Sequence, residues 1–116
     1  MGADIDALQA KLRAFSAERE WGQFHSPKNL AVSLSIEAAE VLEHFQWLTD
    51  VQSRDLPEAS RAAVATELAD VLIYLIQLAD HLQIDLVASA HAKIEQNARK
   101  YPVDLARGVA TKYTDL

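Results

Sequence analysis

The chain has 116 residues, of which 50% are hydrophobic and none is cysteine, and its formal net charge at pH 7 is −6. This length indicates a single domain spanning residues 1–116, and the absence of cysteine excludes disulfides and thiolate metal sites and fits a reducing compartment such as the cytoplasm. The acidic balance argues against a nucleic-acid partner, because a phosphate backbone attracts basic surfaces.

The first residues, MGADIDALQAKL, carry acids where a signal peptide needs bases, and they lack an apolar segment of the kind that signal peptides contain. No uninterrupted apolar run approaches the roughly 18 residues of a membrane-spanning helix. We therefore expect neither a secretion signal nor a membrane partner.

The predicted elements are four helices and no strands, because only three glycines and three prolines interrupt long runs of good helix formers. Ser26 and Asp85 are the expected N-caps of the second and fourth helices, and Pro27 opens the second. In chain order, the helices are predicted at about 5–19, 27–48, 57–82 and 86–100. The fold class is therefore all-α, and wide apolar helix faces in so short a chain favour an oligomer.

The first acidic pair lies in the second helix, in the stretch SIEAAEVLEHFQW. At about 100° per residue, the apolar residues of this helix form an arc, and Glu37 falls at the edge of that arc. Glu40 lies just beyond the edge, followed by Trp47 on the same strip, whereas Glu43 lies further round and is expected to be solvated. Glu37 and Glu40 are therefore candidates for a partly shielded site.

The second acidic pair, Glu67 and Asp70, lies in the third helix, in the stretch ELADVLIYL. Glu67 and Tyr74 border the apolar arc of that helix, with Asp70 next to them. If the second and third helices pack antiparallel, both acidic pairs lie on the same side of the seam. Glu40 is about 12 Å before the end of its helix, and Glu67 is about 15 Å after the start of the other, so their heights match.

Four carboxylates at one level would either take up protons or hold a hard cation, because uncompensated charges shielded from water are very costly. Oxygen ligands suit Mg²⁺ or Mn²⁺. A ferritin-like di-iron oxidase is disfavoured, because no Glu has a His three residues further on. Each acidic pair alone is more commonly a solvated helix face, and the residues leave that alternative open.

Aromatic side chains are candidates for binding a ligand near these acids. The loop WGQFH supplies Trp21, Phe24 and His25, and aromatic residues in loops are often functional. Trp47 and Tyr74 lie beside the acidic strips and could stack on a nucleobase. Core or oligomer packing is the more common role of such aromatics in helices.

One face of the fourth helix carries Lys93, Asn97 and Lys100, which recur at helical spacing. Lysine binds phosphate as a point charge. The alternative is a solvated helix end whose cations interact favourably with the helix dipole.

Together these residues resemble a known family. The pattern Glu37-x-x-Glu40, followed after 26 residues by Glu67-x-x-Asp70, resembles the E-x-x-E…E-x-x-D signature of the all-α nucleoside triphosphate pyrophosphohydrolases of the MazG type. Within that superfamily, the chain looks most similar to dCTP pyrophosphatases. The stretches that carry the resemblance are EREWGQFHSPKNLA, EAAEVLEHFQW, ELADVLIYLIQLAD and YPVDLARGVATKYTDL.

The resemblance implies a bundle of four or five helices with an antiparallel central pair, assembled as a homotetramer that is a dimer of dimers. It implies Mg²⁺-dependent cleavage of a (deoxy)nucleoside triphosphate, dCTP or a modified dCTP above all, to the monophosphate and pyrophosphate, in cleansing of the nucleotide pool. The positions that match the family's metal ligands and catalytic acids are Glu37, Glu40, Glu67 and Asp70.

The resemblance also assigns residues to substrate binding. The positions that match its nucleotide and phosphate contacts are Trp21, Phe24, His25, Trp47, Tyr74, Lys93 and Asn97. Lys100 lies on the same helix face as Lys93 and Asn97. The family often has Arg directly after the Asn, but this chain has Ala98 there, which leaves the phosphate contacts open. Two alternatives remain: the same chemistry on another base, such as dUTP or an oxidised purine nucleotide, and a non-catalytic helical module for oligomerisation.

Overall fold

The computed structural model describes residues 2–116, which form only helices, turns and loops, so the predicted all-α class is confirmed. The four long helices match the four that the sequence predicts, and two single-turn helices are added. The six helices are α1 (Ala3–Glu18), α2 (Pro27–Glu43), α3 (Asp50–Ser53), α4 (Glu58–His81), α5 (Leu86–Lys100) and α6 (Val103–Ala106). Short 3₁₀ turns cover Trp21–Phe24 and Tyr113–Asp115.

The described chain divides into two compact units, Gly2–Ile84 and Asp85–Leu116. The first unit holds α1 to α4, and the second holds α5, α6 and the C-terminal turn. Asp85 caps α5 by accepting a hydrogen bond from the Ala88 amide at 3.0 Å, as its sequence position predicts. A single domain over 1–116 remains a prediction.

Helices α2 and α4 form the main packing pair of the first unit. They run antiparallel, because the end of α2 meets the start of α4: His44 and Leu48 line one pocket together with Pro57 and Ser60. Ser26 caps α2 by accepting a hydrogen bond from the Asn29 amide, with Pro27 as the first helical residue. The predicted antiparallel central pair is therefore confirmed.

The predicted end of the second helix, at about Leu48, is wrong. α2 ends at Glu43, and the amides of His44 and Phe45 bond to carbonyls three residues back instead of four. Thr49 then starts α3 with a capping box, in which its hydroxyl accepts from the Gln52 amide and the Gln52 side chain accepts from the Thr49 amide. Trp47 therefore does not continue the strip of Glu40.

Helix α1 packs along α4. An ion pair ties the two helices, with Arg13 Nε donating to Asp80 Oδ2 at 2.8 Å. The hydrogen bonds from the Arg13 guanidinium hold the pKa of Asp80 below its ordinary value. This contact lies between α1 and the C-terminal end of α4.

The buried apolar side chains of the described residues are few, namely Leu30, Val64, Ile76 and Ala79. Large apolar side chains on α2 and α4 are exposed instead, including Ile36 at 53%, Leu42 at 60% and Leu68 at 52%. Apolar surface of this extent is typical of faces that bind another protein.

By length and composition alone, α4 is long and apolar enough to cross a membrane, although no uninterrupted apolar run in the sequence has that length. Glu67 and Asp70 interrupt this helix near its middle, and ionisable side chains are costly inside a bilayer. A core helix of a protein outside the membrane meets the same criterion. In this structure α4 packs on both α1 and α2.

Candidate functional site

Carboxylates from α2 and α4 meet at the seam between these helices. Glu37, Glu67 and Asp70 each offer an oxygen, and these three oxygens lie within 4.8 Å of one another. All three residues are half-buried. The three-residue spacing on α4 places Glu67 and Asp70 on one face of that helix, where the antiparallel packing brings Glu37 opposite them. We call these three residues, together with Glu40, the acidic cluster.

Glu40 belongs to the cluster through its contacts with the other glutamates. Hydrogen bonding with Glu40 is the largest cause that raises the pKa of Glu37 to about 7, followed by burial and by the negative charges of Glu40, Asp70 and Glu67. The same hydrogen bonding with Glu40, followed by burial, also raises the pKa of Glu67. Without a cation, therefore, the cluster favours retaining protons near neutral pH.

His44 contacts the cluster from the end of α2. Its Nε2 lies 3.7 Å from Oε1 of Glu67, and this contact opposes the rise in the pKa of Glu67. His44 is the C-cap of α2 and keeps helical dihedral angles, so it lies on the same helix face as Glu37 and Glu40.

The oxygen atoms of the cluster fit a divalent cation. Oε2 of Glu37 and Oε2 of Glu67 are buried, and neither has a hydrogen-bond partner. Buried polar atoms are nearly always satisfied, and an orphaned pair in one cluster is commonly explained by an ion. Carboxylate oxygens alone, without thiolate, select hard cations of the Mg²⁺ and Mn²⁺ type.

An apolar pocket of about 250 Å³ lies beside the cluster, between α1 and α4. We call it the aromatic pocket. Its aromatic walls are Phe15 from α1, Trp21 from the 3₁₀ turn and Tyr74 from α4, and the rings of Phe15 and Trp21 meet edge to face at 5.6 Å. Flat apolar walls of this kind suit a planar ring.

Asp70 joins the two features, because it belongs to the acidic cluster and also lines the aromatic pocket. A ligand that fills the pocket therefore has one end at the carboxylates. His25 lines the pocket as well, and it also lines an adjoining pocket of about 240 Å³ that extends between α1 and α4 towards Arg13 and Asp80. An anionic group at the Asp70 end would need a cation between it and the acids.

The predicted site residues of the first unit fall into two groups. The structure brings together six of them at the cluster and the pocket, namely Glu37, Glu67, Asp70, Trp21, His25 and Tyr74, and Glu40 contacts two of the acids. Phe24 and Trp47 lie outside the aromatic pocket, and Trp47 is 86% exposed. Their proposed contacts with a substrate remain predictions.

The remaining predicted residues lie in the second unit and are described within it. Lys93 is exposed, and its Nζ donates to Gln96 Oε1 at 3.1 Å. Asn97 is exposed on the same helix. Lys100 Nζ lies 4.7 Å from the centre of the Tyr113 ring, a cation–π contact within this unit. Their role as phosphate ligands remains a prediction.

Phe15 and Gln77 both line the aromatic pocket and were not predicted as site residues from the sequence. A signal for Phe15 was present, since Ile5, Leu8, Leu12 and Phe15 recur at helical spacing and mark the packed face of α1. Gln77 gave no such signal. A single glutamine in an apolar helix looks like a surface residue unless the packing of the neighbouring helix is known.

The fold and site define an all-α protein with a cluster of carboxylates between two antiparallel helices. The sequence model of the MazG-like family matches residues 32–116, and the chain belongs to that family. This match confirms the resemblance to the MazG type that the acidic motifs indicate.

Relatives of known name agree with this assignment. The chain is 46% identical to dCTP pyrophosphatase 1 of Mus musculus over 115 residues and 44% identical to the human protein of that name. The match covers 97% of this chain and 66% of each relative, so the chain spans a little less than two thirds of their length. A pyrophosphatase from Archaeoglobus fulgidus has a similar fold, with a TM-score of 0.81 and 43% identity over 88% of this chain and 95% of its own.

Proposed function

We propose that this protein hydrolyses (deoxy)nucleoside triphosphates between the α and β phosphates, releasing a monophosphate and pyrophosphate, with dCTP or a modified dCTP as the preferred substrate. The relatives named dCTP pyrophosphatase 1 support the substrate. The cellular role is removal of unwanted nucleotides from the pool, in the cytoplasm.

One observation carries the proposal: Asp70 is shared between the acidic cluster and the aromatic pocket. A nucleoside triphosphate has an anionic end and a flat apolar end, and this arrangement offers a place for each. The aromatic walls exclude water from one side of the base, and stacking contributes about 1–3 kcal/mol per base.

Glu37, Glu67 and Asp70, with Glu40, would hold Mg²⁺, or Mn²⁺ in its place. Bound there, such a cation would neutralise phosphate charge and lower the pKa of a water molecule. Glu40 contacts both Glu37 and Glu67, and we assign to it the orientation or deprotonation of the attacking water. The raised pKa of Glu37 supports a site that exchanges protons for a cation.

The assignments outside the cluster rest on the family pattern. Trp21, His25 and Tyr74 line the pocket and are proposed to contact the base or sugar, with Phe24 and Trp47 as further contacts. Lys93, Asn97 and Lys100 are proposed to bind the phosphates, and Ala98 removes the cation that the family often has there.

The proposed assembly is a homotetramer, supported by the exposed apolar side chains of α2 and α4 and by the family resemblance. Neither nucleic acid nor a membrane is a proposed partner. A second candidate function, the same reaction on dUTP or an oxidised purine nucleotide, is separated from the first by the test below.

The test is a panel of nucleoside triphosphates assayed for pyrophosphate release, with Mg²⁺ and with a chelator. We expect Mg²⁺-dependent release that is fastest with dCTP or a modified dCTP. Release that is fastest with another nucleotide would establish the second candidate function. The absence of release from every nucleotide would favour the alternative of a non-catalytic oligomerisation module.

A further inference from the structure

Gln77 is a buried polar side chain at the aromatic pocket. It retains only 9% of its surface, and it lines both the aromatic pocket and the adjoining pocket. A buried amide is costly unless its donors and acceptor are satisfied. Its position on α4 among apolar residues therefore calls for partners.

The protein supplies a partner for only one end of this amide. Gln77 Nε2 donates to the hydroxyl of Ser16 on α1 at 3.4 Å. None of residues 2–116 donates a hydrogen bond to Gln77 Oε1. With Nε2 directed at Ser16, Oε1 is the group left for whatever occupies the pockets that Gln77 lines.

Gln77 stands at a fixed distance from the acidic cluster. Asp70, Tyr74 and Gln77 lie four and then three residues apart on α4, so they share one face of the helix. The rise from Asp70 to Gln77 is about 10 Å along the axis. A ligand with its anionic end at Asp70 and its ring beside Tyr74 presents the far edge of that ring to Gln77.

We propose that Gln77 determines base specificity: its Oε1 accepts a hydrogen bond from the exocyclic amino group of a 4-aminopyrimidine nucleotide. This inference rests on the proposed function and names the substrate class of the same site. Ser16 acts as a positioning residue, because the hydrogen bond from Gln77 Nε2 to its hydroxyl leaves Oε1 to face the base.

The hydrogen-bonding groups at position 4 of the base explain why Gln77 would select cytosine over uracil. An amino group at position 4 donates a hydrogen bond to the waiting carbonyl oxygen. A keto group at that position, as in uracil, brings one acceptor against another and leaves both unpaired. A site built to pair with one polar group rejects an analogue that lacks it much more strongly than an apolar pocket rejects a small change in size.

The test compares dCTP with dUTP and with the 2-pyrimidinone deoxynucleoside triphosphate, which lacks the 4-amino group. With Mg²⁺ and the unmodified protein, we expect kcat/KM for dCTP to exceed that for the 2-pyrimidinone nucleotide by about tenfold or more. This is the effect of one hydrogen bond in a buried site. In Gln77→Met, which keeps the length and removes the acceptor, the two values should become equal to within about twofold.

Two further variants complete the test. Ser16→Ala frees the amide to turn over, so discrimination between dCTP and dUTP should fall by several-fold, whereas Gln77→Glu keeps an acceptor and should keep the preference for dCTP. Gln83→Met makes the same chemical change at an exposed residue outside the aromatic pocket and should leave all ratios unchanged. Circular dichroism and thermal melts show whether each variant is folded.

Equal kcat/KM values for dCTP and the 2-pyrimidinone nucleotide with the unmodified protein would overturn the inference and leave the proposed function intact. This comparison needs no variant. A preference for dCTP that survives in Gln77→Met would overturn it as well. Absence of pyrophosphate release from every nucleotide would instead refute the proposed function, and the inference with it.

Discussion

Glu37 is the residue of the acidic cluster at which protonation and cation binding compete most directly. Its pKa is raised to about 7, first by hydrogen bonding with Glu40, then by burial and by the neighbouring negative charges. One of its oxygens is buried without a hydrogen-bond partner. A carboxylate in this state is destabilising when ionised alone and stabilising when it binds a cation, so folding, pH and metal binding are coupled at this residue.

The pH dependence of stability follows from this raised pKa. A group with a higher pKa in the folded state contributes stability at low pH, and that contribution is lost as the pH rises through the folded pKa. In the presence of a chelator, we therefore expect the Glu37 contribution to fall as the pH rises from about 5 to 8. Mg²⁺ should raise the Tm at pH 8 and have little effect at pH 5.

The measurement is a series of thermal melts across this pH range, with chelator and with Mg²⁺. Glu37→Gln should remove much of the pH dependence between pH 5 and 8 and weaken the response to Mg²⁺. A stabilisation by Mg²⁺ that is equal at pH 5 and pH 8 would contradict the coupling.

At the level of secondary-structure elements, the end of α2 decides which side chains reach the site. The helix stops at Glu43: His44, its C-cap, still contacts Glu67, whereas Trp47 lies beyond the helix and is exposed. The capping box of Thr49 and Gln52 then fixes the start of α3. The T-x-x-Q signature of that box stands in the sequence, so the break in the helix could have been predicted from it.

Loss of this cap should destabilise the protein. We expect Thr49→Ala to lower the free energy of unfolding by about 1 kcal/mol, because the Gln52 amide loses its acceptor. Thr66→Ala is the matched control, since that exposed hydroxyl bonds only a carbonyl within α4. Urea denaturation of both variants measures the difference, and equal effects would show that the capping box contributes nothing specific.

At the level of the whole molecule, the exposed apolar faces of α2 and α4 are the surfaces that the proposed homotetramer would bury. The proposed homotetramer predicts a sedimentation mass of four times the 12.8 kDa of one chain. Analytical ultracentrifugation across a range of concentrations measures it. A mass of 12.8 kDa at all concentrations would contradict the assembly.

The helices and the acidic cluster were predictable because the helical repeat fixes which residues share a face. Glu37 and Glu40, and likewise Glu67 and Asp70, are placed on their helices by spacing alone, and a short connection makes the two helices antiparallel. The aromatic pocket was predictable only in part. Phe15 and Gln77 reach it through the packing of α1 on α4, a contact between distant segments that no local pattern encodes.

The most direct test of the central claim is the rate of pyrophosphate release from dCTP, measured against Mg²⁺ concentration. The unmodified protein should be active only with the cation, and Asp70→Ala should lose on the order of a hundredfold or more of that activity with its helical circular-dichroism signal unchanged. Glu43→Ala removes an exposed acid of α2 outside the cluster and should remain fully active. Full activity in Asp70→Ala, or activity independent of Mg²⁺, would contradict the assignment of the acidic cluster as the catalytic metal site.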